Sequence, residues 1–96
     1  MDAMNLLTVY DRMRHLGMVA TKREFSRDWL GKSWSYLRDF TEDDRLHATV
    51  PHGVVMRLRE RLAAVADRTP AGAAREIRSV VETIDRASMV HRLLAR

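Results

Sequence analysis

The sequence predicts an all-α fold, a compact bundle of about five helices that ends in a long C-terminal one. Three observations predict it. Apolar residues recur at spacings of three and four, the period of a helix with one buried stripe. Ala, Leu, Arg and Met are frequent, while six aromatics and four glycines leave little material for an all-β chain. Glycine and proline fall where one apolar stripe stops and the next begins. Ninety-six residues bury a single core, which excludes a two-domain enzyme with a deep cleft between its halves.

Each element follows from local signals. Leu6, Val9, Tyr10, Met13 and Leu16 lie on one stripe, and Gly17 supplies a stop. Thr21-Lys22-Arg23-Glu24 fits a capping box, in which threonine closes the helix start and glutamate reaches back. That second helix carries Phe25 and Trp29 and ends at Leu30-Gly31. A third, short helix is expected from Lys32 or Ser33, with Tyr36 or Leu37 and then Phe40 facing inward. Residues 41–50 read as a polar connection. Thr49-Val50-Pro51 opens a fourth helix, whose buried face should be Val54, Val55, Leu58, Leu62 and Val65. Thr69-Pro70 opens the last. Its stripe runs through Ala73, Ala74, Ile77, Val80, Val81, Ile84, Ala87, Val90, His91 and Leu94.

Composition removes several function classes. No cysteine is present, so disulfides, thiol catalysis and thiolate zinc sites are excluded. No apolar stretch is long enough to span a bilayer, and Met1-Asp2-Ala3-Met4-Asn5 lacks the basic start and apolar run of a signal peptide. A cytoplasmic protein without membrane contact is therefore expected. The histidines at 15, 47, 52 and 91 show no pair at helical i, i+4 spacing, so no metal site is expected. The serines at 26, 33, 35, 79 and 88 lack a nearby histidine and a nucleophile elbow. No glycine-rich loop cradles a phosphate. The sequence thus predicts no enzyme and no cofactor.

Charge is more informative. The net charge is +4, and fifteen of the seventeen basic residues are arginine. The planar guanidinium donates two hydrogen bonds to one anion, which suits phosphate. From Thr21 to Phe40 five basic residues (Lys22, Arg23, Arg27, Lys32, Arg38) face three acidic ones; Glu42-Asp43-Asp44 then follow, with Arg45 as the loop's basic residue.

Within that segment, TKREFSRDWLGKSWSYLRDF, Leu30 and Gly31 end one helix, and apolar Leu37 and Phe40 lie six and nine positions after the glycine. Ser26 puts a small residue directly after the apolar anchor Phe25. This pattern resembles the helix-turn-helix of the Cro and phage-repressor family, loosely from Leu6 to about Ala66. The resemblance implies a recognition helix that buries Leu37 and Phe40 and presents its other face to the major groove of double-stranded DNA. Lys32, Ser33, Trp34, Ser35, Arg38 and Asp39 would form that outward set. Ser33, Ser35 and Arg38 would touch bases or adjacent phosphates, and Lys22, Arg23, Arg27, Lys32 and Arg45 would anchor the backbone. Trp34 is bulky for a reading position and either stands with this set or folds back onto the core. Five residues separate Phe25 from Gly31, where the family has four. The first helix is then one residue longer, or the turn is irregular.

Residues 1–68 are expected to form the helix-turn-helix domain, with residues 69–96 as a helix packed upon it. That helix outruns a core of short helices, so Val81, Ile84, Ser88, His91 and Leu94 are expected to help form a homodimer. The function expected is sequence-specific DNA binding in transcriptional regulation. The alternative is a protein-interaction module of helix-turn-helix origin that leaves DNA alone and docks a protein partner.

Overall fold

A computed structural model describes the backbone of residues 1–94 and the side-chain surroundings of residues 1–90, 93 and 94. It is an all-α bundle. Helix α1 spans Ala3–His15. Helix α2, Lys22–Glu24, runs straight on into a π-helical stretch, Phe25–Trp29. Helix α3 is Tyr36–Glu42, α4 is His52–Asp67 and α5 is Ala71–Leu94.

The expected stops and starts hold where a side chain or glycine makes them. Asp2 caps α1 by accepting the Asn5 N–H at 2.9 Å. Gly17, at φ +76°, ends it: the Met18 N–H reaches Met13 O at 3.0 Å and the Gly17 N–H reaches Arg14 O at 3.1 Å. These are the two bonds of a Schellman stop. Thr21 Oγ1 accepts the Glu24 N–H at 3.1 Å, while Glu24 reaches back to the N–H of Ala20 instead of the threonine's own. Helix α4 begins directly after Pro51.

Three expectations need correction. Helix α3 starts at Tyr36 rather than at Lys32 or Ser33, so residues 32–35 form a turn. On α4 the buried row is Val54, Val55, Leu58, Leu62 and Ala66, and Val65 stands in solvent. The buried row 54-58-62-66 steps by four residues along the helix, and the expected Val65 falls to one side of it. On α5, Ala74, Ile77, Val80, Val81 and Ile84 are buried and Ala87 partly so, whereas Ala73, Val90 and Leu94 are exposed. Ala73, beside buried Ala74, is turned to solvent, and Val90 points away from the stripe that ends at Ile84. His91 lies outside the described side chains.

The core joins Leu6, Val9 and Met13 of α1 to Phe25, Leu30, Leu37, Leu58, Leu62 and Ile84. Tyr10 meets Phe25 edge-on at 5.5 Å between ring centres. Helix α5 lies along α4 and also touches α1. Arg12 donates to Thr83 Oγ1 at 2.8 Å and Ser79 Oγ at 3.1 Å, and Arg59 forks onto Asp85 at 2.7 and 3.1 Å. The start of the chain holds the connection before α4. Ala3 N–H bonds Ala48 O, Met4 N–H bonds Leu46 O, and Val50 N–H bonds Met1 O, beside an isolated bridge between Asp2 and Thr49.

Candidate nucleic-acid interface

The chain turns between α2 and α3 through a corner whose geometry begins with one extra residue. In the π-helical stretch the Leu30 N–H bonds Phe25 O, five residues back, at 3.1 Å. The residue in excess between Phe25 and Gly31 is absorbed there, and both Phe25 and Leu30 keep their places in the core. Gly31 then takes φ +67°. The Lys32 N–H closes the corner on Ser26 O at 2.9 Å, one residue further back than the equivalent bond after α1.

Ser26 is fully buried and ties the corner twice. Besides its carbonyl, its Oγ accepts the Leu37 N–H at 3.1 Å. That N–H belongs to the first turn of α3, where Ser35 makes no side-chain cap. A side chain from the preceding helix therefore supplies the missing partner. Leu37 and Phe40 are buried, and Tyr36 packs edge-on to Phe40 at 5.2 Å. Burial pushes the Tyr36 phenol above its ordinary range, with Arg45 opposing the shift. It remains a neutral hydroxyl at physiological pH.

Five of the nine expected contact residues surround one open groove of about 480 Å³: Arg23, Arg27, Lys32, Ser33 and Trp34. Trp34 is 44% exposed and does not fold onto the core. Its indole lies 5.1 Å from the Arg23 guanidinium and 4.4 Å from that of Arg38, within cation–π range. Arg38 is half-buried and reaches toward Glu42, whose Oε2 is 3.6 Å from its Nε. No hydrogen bond satisfies that buried Nε among the described residues. Ser35 is turned to Asp39, donating to its Oδ2 at 3.2 Å, and is not among the groove's walls. Arg45 lies over Phe40 at 5.1 Å and Lys32 over Tyr36 at 5.8 Å, so both flank the aromatic pair of α3. Lys22, half-buried at the start of α2, contributes nothing to the groove wall.

Among the described residues no ion pair engages Arg23, Arg27 or Lys32. Three cations without carboxylate partners stand around one hollow, which therefore favours an anion. The acidic run after α3 has local work. Glu42 faces Arg38, and Asp44, at φ +53°, ends α3 as the Arg45 N–H bonds Phe40 O at 2.9 Å.

One residue escapes sequence reasoning. Arg57 of α4 covers Gly31 so closely that a Cβ there would sit 2.6 Å from its Cζ and Nε. It brings a further guanidinium to the corner. A glycine at a turn signals an open side, but no local pattern says which distant residue fills it.

No curated protein and no solved structure matches the chain. Residues 6–96 match the model of the family described as "Family of unknown function (DUF6626)", and the chain belongs to that family.

Proposed function

We propose that this protein is a DNA-binding transcriptional regulator of the cytoplasm, with the corner at residues 23–40 acting as a helix-turn-helix. The observation that carries the reading is the groove itself. Arg23, Arg27 and Lys32 surround it without carboxylate partners, while Leu37 and Phe40 hold the opposite face of α3 in the core. Phosphates of a duplex would take the groove cations and Arg45 as anchors, and Arg57 adds to them. Ser33 and Arg38 would reach base edges, with Ser35 steadied by Asp39 beside them. Helix α3 is short, so its reading surface includes the turn before it.

The test is selection of bound duplexes from a random pool, followed by affinity measurement at fixed salt. An enriched sequence is expected. Arg38→Ala should weaken binding to it by about 1–3 kcal/mol, the worth of a bidentate base contact. Binding to unselected duplex should change little. Equal losses on both would reject base reading.

We further propose that two copies associate through the end of α5, where Met89, Val90, Leu93 and Leu94 are all more than half exposed; Val81 and Ile84, expected in the pair's seam, are instead buried in the single chain. A two-fold pair suits DNA, because two corners can address successive grooves. The same apolar end favours, as a second reading, a protein-interaction module. Capture of a stoichiometric protein partner together with salt-insensitive, negligible DNA binding would establish it over the first.

A further inference from the structure

We propose that the groove beside Trp34 accepts an unpaired nucleotide, with the base stacked on the indole and its phosphates held by Arg23, Arg27 and Lys32. This goes beyond duplex recognition and shares only the groove with it. The groove's walls bring together two chemistries: cations without acidic partners among the described residues, and a broad apolar ring.

Trp34 is poorly equipped to read a closed base pair. Its indole offers one N–H donor and no acceptor, so it cannot match the donor and acceptor pattern of a groove edge. What it offers is a flat π-face. In an intact duplex the base faces are covered by their neighbours, and only an unpaired base presents one. Aromatic platforms set among backbone-tracking cations are the general means of holding single strands.

The two arginines beside the ring differ in how they are held. Arg38 stands 4.4 Å from the ring, with its Nε 3.6 Å from Glu42 Oε2. Arg23 stands off at 5.1 Å, and no ion pair among the described residues holds it. An arriving base takes the place of Arg23 on the ring, and the guanidinium moves to the phosphate. The turn at residues 32–35 places Trp34 outside the regular helix, where its ring is reachable from solvent.

The experiment uses the full chain carrying Trp29→Phe, which leaves Trp34 as its indole reporter. Four dye-labelled ligands are titrated at fixed salt, with affinity read from their anisotropy: single-stranded DNA of about ten nucleotides, within the site sizes of such grooves, the same strand as RNA, a DNA hairpin closed by an ethylene-glycol linker that carries no bases, and that hairpin with one bulged nucleotide. The single-stranded and bulged ligands should quench Trp34 fluorescence and bind several-fold more tightly than the closed hairpin. Trp34→Ala should weaken those ligands by about 5- to 150-fold, the range for one stacked base, a larger loss than it causes on the closed hairpin. Trp34→Phe, which keeps a smaller ring, should fall between. The DNA and RNA strands compared together identify which single strand is preferred. Equal affinity for closed and bulged hairpins, or binding that leaves Trp34 fluorescence unchanged, would overturn the proposal. Closed duplex bound without unpaired ligands would leave the regulator reading standing and end this one. Unpaired ligands bound without duplex would do the reverse, and binding to neither would end both.

Discussion

Gly17 and Gly31 share nearly one backbone conformation, φ +76° and +67°, in opposite surroundings. A Cβ at Gly17 would meet nothing within 4 Å, whereas at Gly31 it would strike the Arg57 guanidinium at 2.6 Å. Gly17→Ala should therefore cost about 1 kcal/mol, the left-handed penalty alone. Gly31→Ala should cost slightly more, because the exposed end of the flexible Arg57 side chain must also swing out of its place. In an Arg57→Ala background that excess should vanish and the two glycine substitutions should cost alike. Urea unfolding of the five variants, three single and two double, measures this. An excess that survives removal of Arg57 would show that the backbone around the corner, and not the guanidinium, resists the methyl group. Both glycines were readable as turns from sequence, since each closes an apolar stripe. Arg57 was not, because its contact joins α4 to a corner remote in the chain. Val65 was misread for a related reason: its spacing from Leu58 and Leu62 suits a helical stripe as well as Ala66 does, and the position of α5 decides between them.

The corner elements show what a local reading can and cannot reach. The five-residue interval between Phe25 and Gly31 was visible, and the π-helical stretch is its physical resolution. The start of α3 was not visible. Ser33 and Ser35 look like caps, yet the Leu37 N–H is satisfied by Ser26 Oγ from the other side of the corner. A helix boundary fixed by a tertiary hydrogen bond leaves no mark in its own neighbourhood. The groove was legible as a set of residue types, with Arg23, Arg27, Lys32, Ser33 and Trp34 all anticipated. Ser35 and Arg38 differ because Asp39 and Glu42, each four residues on along α3, attract them. If the π-helical stretch does no more than absorb one residue, deleting exposed Asp28 should convert it to a regular α-turn. The deletion variant should keep its helical circular dichroism and a cooperative melt, with stability changed by no more than about 1–2 kcal/mol. Loss of cooperativity would mean that the wider turn itself holds Phe25 and Leu30 in register.

At the scale of the molecule, α5 carries two different surfaces, for at 100° per residue Met89, Val90 and Leu93 lie on the side away from the stripe that ends at Ile84. Its buried part, from Ala74 to Ile84, packs on α4 and α1, and its last turns expose Met89, Val90, Leu93 and Leu94. Spacings of three and four join the two in sequence, and where the buried stripe ends is not legible there. If a second copy covers the exposed part, sedimentation equilibrium should find a concentration-dependent dimer. Val90→Glu with Leu93→Glu should then weaken association by at least about 100-fold, from the loss of two buried apolar side chains. The double variant should melt within a few degrees of the parent, since both positions face solvent in the single chain. A parent that stays monomeric up to high micromolar concentration would reject pairing through this end.

The clasp between Arg12 and the hydroxyls of Ser79 and Thr83 has a consequence in time rather than in space. A chain emerging from the ribosome at about 5–20 residues per second exposes the inner side of α1 long before the helix that covers it has been made. Until Ser79 and Thr83 are out, Arg12 has neither hydroxyl to hold. The newborn protein should therefore stay vulnerable to proteases until Ser79 and Thr83 have emerged, and then gain its resistance in one step.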